Sequence, residues 1–235
     1  MSDTAGDNLP GPVEDLLAAS PETAYFWGRV VGDGDISDGV ITVRAGDEHA
    51  ADVLAAIADA EGVDHSVAAH ESAHDASVVR YEDEYELTVA DGTAARASGA
   101  LGLPTDGADG GYRFDAFGEY RAPLVRGLLE ACGTVCFRES SGSVGISFVH
   151  DDESLLETVQ SLLADADVDA PCEGLQASSS GGYWFGLADD ADTAGLAAWC
   201  YDGTDQSGLY AAERRQKLRR SVERATGEDL GGLGT

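Results

Sequence analysis

Apolar positions along this chain switch between two spacings, one of three to four residues and one of two, and the switches mark out its elements. The first apolar block, Ala24-Tyr25-Phe26-Trp27 with Val30-Val31, follows Ser20 as an N-cap and Pro21 at the first helical position. Gly34 is the stop, so the spacing predicts a helix ending there. Val40-Ile41-Thr42-Val43 reads as a strand, and 48–60 as an amphipathic helix whose stripe is Ala51, Leu54, Ala55, Ile57 and Ala58. Two more strands are expected at 77–81 and 85–89, joined by the acidic turn Glu82-Asp83-Glu84, before an alanine-rich helix that ends near Leu103-Pro104.

Residues 105–111 have linker composition, and beyond them the order repeats. A helix is expected over 119–131, ending at Gly133, then strands at 135–139 and 144–149 around a Ser/Gly turn. Leu155, Leu156, Val159, Leu162 and Leu163 set a helix over 151–165. Strands near 175–178 and 183–187 and helices near 190–200 and 208–225 complete the chain. The unit that recurs is helix, two strands, helix, two strands, helix. Gly28 and Gly127 stand 99 positions apart, as do Gly34 and Gly133. The expected organisation is a flexible lead-in (1–20), a first repeat (21–104), a linker (105–112), a second repeat with a C-terminal helix (113–225) and a flexible tail (226–235).

Charge changes this picture little. The 235 residues carry 44 Asp+Glu against 14 Lys+Arg, a formal net charge of -30, and Lys217 is the sole lysine. The acids are dispersed rather than blocked, which fits adaptation to a salt-rich, haloarchaeal type of cytoplasm, where charge is screened and carboxylates keep the surface hydrated. Net charge is then a poor guide to function. Cys132, Cys136, Cys172 and Cys200 have neither CxxC nor zinc-finger spacing. With no leader-like segment and no apolar run of roughly 20 residues, a membrane span is not expected. The chain is expected to be cytoplasmic, monomeric and reduced.

Two segments carry a family resemblance. Phe26-Trp27-Gly28-Arg29-Val30-Val31-Gly32-Asp33-Gly34 resembles the nine-residue LAGLIDADG motif, and Val125-Arg126-Gly127-Leu128-Leu129-Glu130-Ala131-Cys132-Gly133 resembles a second copy. Residues 149–165 and the terminal 210–222 stretch also resemble the family's continuation. The resemblance implies an α+β fold: a pseudo-two-fold duplicated αββαββα, with two four-stranded antiparallel sheets forming a saddle around two central packed helices. Independently of it, Gly28/Gly32 and Gly127/Ala131 are each four apart, which puts small residues on one helix face and lets two helices meet backbone to backbone.

By resemblance to LAGLIDADG homing endonucleases, the acid before each final glycine holds the divalent ions that cleave DNA. Asp33 matches that acid in the first motif, whereas Cys132 stands at the second position. A thiol is a soft ligand and a poor partner for Mg²⁺, which prefers oxygen. Glu130 is two residues away, a rotation of roughly 200° along a helix, and is expected to point away from the axis. The family's DNA saddle is rich in Arg and Lys, yet here the candidate contacts are Arg44, Arg80, Arg113 and Arg138, facing acidic strand and turn positions. Neutralising phosphates supplies most non-specific affinity, so this is a thin footprint for double-stranded DNA. The basic run Arg214, Arg215, Lys217, Arg219, Arg220 and Arg224 reads as a solvated helix face pairing with local acids.

His65, His70 and His74 lie close together, and His70 and His74 would share a face at metal-ligand spacing only if the segment were helical. Its alternation argues for a strand or loop. No cofactor is implied, and Mg²⁺ only if cleavage is retained. The reading reached is a LAGLIDADG-like protein that has lost cleavage and serves a non-catalytic regulatory or accessory role. Two alternatives stay open: an active site-specific endonuclease using Mg²⁺, and an accessory protein of a metal or cofactor pathway that uses the fold as a scaffold.

Overall fold

The structure is a computed structural model in which residues 9–227 are described, apart from 73, 74, 91, 106–109 and 180. Helix α1 (Pro21–Asp33) begins where the polar signals put it. The Ser20 hydroxyl accepts the Thr23 N–H at 3.2 Å, and the Thr23 hydroxyl accepts the Ser20 N–H at 3.0 Å. This reciprocal box satisfies two of the donors a helix start leaves open. The helix turns straight into β1 (Gly34–Ser37), which pairs with β2 (Val40–Ala45) across Asp38-Gly39. Both turn residues have positive φ, 52° and 79°, as a two-residue hairpin with the strands' right-handed twist demands. Only the Asp-Gly pair could have announced β1, which is too short to show alternation.

Helix α2 (Glu48–Ala58) is followed by β3 (Val63–Ser72), β4 (Asp75–Val89) and α3 (Thr93–Leu101). Here the expectation is corrected. Glu82-Asp83-Glu84 is not a turn but the middle of one continuous 15-residue strand, with Glu82 and Glu84 opposite Ala68 and Ser66 of β3. Alternating carboxylates on a solvated sheet face look like a turn in composition and like a strand in period. The histidine segment is accordingly strand: His65 and His70 belong to β3. His74 lies outside the described residues, as do the side chains of His70 and Arg80.

A 3₁₀ segment at Asp115–Tyr120 leads into α4 (Arg121–Cys132), then β5 (Gly133–Arg138), β6 (Ser143–His150) and α5 (Glu153–Ala164). The remaining elements are β7 (Gln176–Ala177), β8 (Tyr183–Gly186), α6 (Thr193–Tyr201), the single turn α7 (Thr204–Ser207) and α8 (Ala212–Thr226). The two sheets have matching orders, β1-β2-β4-β3 and β5-β6-β8-β7, with every pairing antiparallel. This is the α+β saddle of two four-stranded sheets around α1 and α4. On the inner strands one set of residues is buried against the helices (Ile41, Val43 and Leu87; Val135, Ile146 and Phe185) and the alternate set faces outward, whereas β7 and the described residues of β3 bury none. One core runs through both halves, and it also takes in Leu16 from the lead-in, whose carbonyl accepts the Trp27 indole N–H at 2.7 Å.

Candidate functional site

The centre of the molecule is the crossing of α1 and α4. A Cβ on Gly28 would strike the Leu124 carbonyl oxygen and come within 3.1 Å of the Gly127 Cα. A Cβ on Gly127 would lie 2.5 Å from the Tyr25 carbonyl oxygen and 3.0 Å from the Gly28 Cα. The contact is thus reciprocal, backbone on backbone. One turn further, a Cβ on Gly32 would meet the Ala131 Cβ at 2.6 Å and the Cys132 Sγ at 3.4 Å. The ends of the helices match as well: the Gly34 and Gly133 N–H groups cap the Val30 and Leu129 carbonyls, residues that again stand 99 apart.

This crossing brings Asp33 and Cys132 together at the base of the two helices. Asp33 is open to solvent on one side. Packing on its other side strips hydration and raises the carboxyl pKa above its ordinary value, while Arg29, Arg44 and Arg214 pull it down. Arg214 comes from α8, and its guanidinium donates to the Gly133 carbonyl at 3.3 Å. Cys132 is half-buried, and its thiol donates to the Leu128 carbonyl at 3.3 Å. Burial, with a smaller push from the Asp33 charge, lifts its pKa to about 12. At neutral pH it is therefore a neutral thiol. A hard divalent cation wants two opposed carboxylates here, and the pair present is one carboxylate and one protonated sulfur with guanidinium groups close by. These residues do not fit Mg²⁺.

Glu130 does not supply the missing acid. It turns away from Asp33, but inward: 2 % exposed, it is enclosed by α1, α6 and α8. Its carboxylate accepts the Tyr25 hydroxyl at 2.7 Å, the Tyr201 hydroxyl at 2.9 Å and the Ala211 N–H, and stands 3.7 Å from Arg29. Arg29 itself donates to the Arg44 carbonyl at 2.9 Å. Arg126, equally buried, donates to the Cys200 carbonyl and sits over the Tyr25 ring. Sequence reasoning missed this cluster. Its one signal was a charged residue inside the apolar run of each motif helix.

The expected nucleic-acid contacts are scattered. Arg44 lies on the outward face of the first sheet, 3.4 Å from both Glu84 and Glu86. Arg138, at the end of β5, is 2.6 Å from Asp189. Arg113 follows α3 in the connection and donates to the Gly99 carbonyl. Arg80 lies in β4 opposite His70. By register, the outward face of the first sheet presents Asp35, Asp64, Glu82, Glu84 and Glu86 around Arg44. The second sheet's outward face carries Thr134, Cys136, Ser147 and Trp184 with Arg138. The basic run on α8 is largely paired: Arg215 with Asp205 at 2.6 Å, Arg219 with Glu223 at 2.6 Å, Arg224 with Glu139 at 3.0 Å.

The fold is shared with known structures. The homing endonuclease I-WcaI bound to its DNA recognition sequence superposes with a TM-score of 0.54 at 8% identity, over 86% of this chain and 87% of that one. Mesophilic variants of the homing endonuclease I-DmoI give 0.50 at 14% identity, over 86% and 98%. The N-terminal LAGLIDADG domain of DUF199/WhiA gives 0.48 at 14% identity, over 80% and 86%. Comparison with curated proteins returns no match. A family model described as "Putative archaeal homing endonuclease" matches residues 1–228, nearly the whole chain. With its glycine-lined helix pair and twin sheets, the chain belongs to this archaeal branch of the LAGLIDADG homing-endonuclease family.

Proposed function

We propose that this protein is a LAGLIDADG member that has lost phosphodiester cleavage and acts as a non-catalytic regulatory or accessory protein. The observation that carries this reading is the pairing at the helix bases. Asp33 faces a protonated Cys132, Glu130 two residues before that thiol is committed to the core, and Glu84, the acid whose charge reaches Asp33, is ion-paired with Arg44. Cleavage by the two-ion route needs negative oxygen ligands on both sides of the phosphate, which one carboxylate cannot provide. The outward face of the first sheet supports the same reading, because five carboxylates gather there by register and the Arg44 among them is ion-paired, a setting that repels phosphate. The acidic composition supports a salt-adapted archaeal cytoplasm as the setting, and two fused halves in one chain support a monomer.

The test is incubation of the full chain with a genomic DNA library and Mg²⁺ or Mn²⁺ in molar KCl, with ends mapped by sequencing. Recurrent cuts at a defined sequence that vanish in Asp33→Asn would overturn the reading in favour of an active endonuclease. The expected result is a cleavage background identical for the two proteins.

A further inference from the structure

The two sheets share a strand order but not an outer edge. In the second sheet the last strand, β7, has two residues, whereas its counterpart β3 runs for ten, Val63–Ser72. β4 pairs with one side of β3. Among the described residues no strand pairs with its other side, which leaves a row of alternate N–H and C=O groups along the edge. Proteins usually blunt such an edge with Pro, Lys or a covering element. β3 contains no Pro, Lys or Arg, and its two acids, Asp64 and Glu71, stand near its ends.

The two faces beside this edge differ. On the outward face, Ser66 and Ala68 lie opposite Glu84 and Glu82 of β4. Both are short, so they leave a shallow path from the edge to the two carboxylates. Neighbouring strands lie about 4.8 Å apart, so a strand added beside β3 would run about 10 Å from β4, within reach of a Lys or Arg side chain laid across Ser66 or Ala68 toward a Glu. On the helix-side face, His65 is fixed by Asp83 at 2.8 Å and by stacking on Tyr85 at 4.7 Å. Beside it Val67 is 57% exposed, the most exposed large apolar side chain among the described residues.

The geometry points to the outer edge of β3 as a β-augmentation site, where an extended segment of a partner protein joins the first sheet as a fifth strand. The segment that fits alternates, with Lys or Arg on the outward side to meet Glu82 and Glu84 and apolar residues on the other side to cover Val67. Main-chain pairing and the Val67 contact carry affinity at high salt, and the carboxylates select against acidic strands. This inference does not depend on whether cleavage is retained.

The probe is a fluorescein-labelled octapeptide of alternating Lys and Val, titrated with the full-length protein in molar KCl and followed by anisotropy. The same peptide with every backbone N–H methylated keeps the charge and loses the pairing, so it controls for attraction to a highly acidic surface. Saturable binding is expected for the unmethylated peptide, at least about tenfold tighter than for the methylated one. Ser66→Arg/Ala68→Arg fills the path to Glu84 and Glu82 and should weaken it about tenfold. Glu14→Gln/Glu157→Gln makes the same net charge change on the lead-in and on α5, and should leave binding unaltered. Melting curves verify that both variants fold. Absence of binding, equal binding of both peptides, or equal loss in the two double variants would overturn the proposal. So would self-association of the chain that Ser66→Arg/Ala68→Arg abolishes, since the occupant of the edge would then be a second copy.

Discussion

The Tyr25 hydroxyl of α1 donates a 2.7 Å hydrogen bond to the Glu130 carboxylate of α4, so the two central helices are joined by a buried polar link as well as by bare glycines. The same carboxylate takes the Tyr201 hydroxyl from α6 and the Ala211 N–H just before α8. One side chain thus gathers four helices at the pseudo-two-fold centre.

Removing that side chain should be severe. In Glu130→Ala, Arg29 and Arg126, 3% and 2% exposed, lose the carboxylate enclosed with them, Arg29 keeps only the pull of Asp33 and Asp47, and two tyrosine hydroxyls lose their acceptor. Breaking a buried pair from one side costs about 3–5 kcal/mol, or roughly 6–20 °C in melting temperature for a chain of this size. Tyr25→Phe removes one donor and leaves the charges balanced, so about 1–2 kcal/mol is expected. Thermal melts of the two variants decide the matter, and equal losses would mean that the cluster is not the anchor described.

Adding a methyl at the helix crossing tests the backbone contact. Gly28→Ala and Gly127→Ala each drive a Cβ into a carbonyl of the opposite helix, where no flexible side chain can yield. About 1–3 kcal/mol per substitution is expected, toward the upper end because backbone must move. Both clashes are relieved by the same separation of the helices, so the double variant should lose less than the sum. Additive losses in chemical denaturation would contradict a shared contact.

Much of this arrangement was legible in the chain, and for identifiable reasons. Small residues at Gly28, Gly32, Gly127 and Ala131 encode a helix crossing because three bare glycines and one alanine fall in matched register on one face of each helix. Capping by Ser20 and the stops at Gly34 and Gly133 are local chemistry and read directly. The failures are non-local. Glu82, Asp83 and Glu84 were misread as a turn because strand pairing with β3, not composition, decides that they continue a strand. Glu130 was read by its angle from the axis alone, and its actual partners are 105 and 71 residues away. The seat of α8 on Leu129, Gly133 and Val135 becomes visible only once the second half is assembled.

Asp33 has a pH signature of defined sign. Desolvation raises its pKa in the folded state, so the ionised form is held less well than in the unfolded chain. Such a group contributes stability that is fully present below the unfolded value, about 4, and is lost as pH rises through the raised folded value. Asp33→Asn should therefore be at least as stable as wild type at neutral pH, with the difference closing on acidification below about pH 4. Urea denaturation of both proteins across pH measures this. A variant that is weaker at neutral pH, with its deficit growing as pH rises, would show that Arg29, Arg44 and Arg214 outweigh desolvation.

The acidity of the first sheet should be the term that keeps DNA off it. Arg44 is 44% exposed, but its charge is shared between Glu84 and Glu86, at 38% and 41%, so neither pair adds much stability. Glu84→Lys/Glu86→Lys would release Arg44 and place three cations on one outward face without touching the core. Melting should hardly change. Affinity for a mixed-sequence duplex should rise, and its logarithm should fall against log salt with a slope steeper by roughly 0.9 for each cation that reaches a phosphate. Glu14→Lys/Glu157→Lys alters net charge equally, on the lead-in and on α5 of the second half, and should produce a much smaller change. If the wild type already binds duplex DNA as tightly as the sheet variant, the outward face is not what decides binding, and the contact must be made by another surface such as the exposed side of α8.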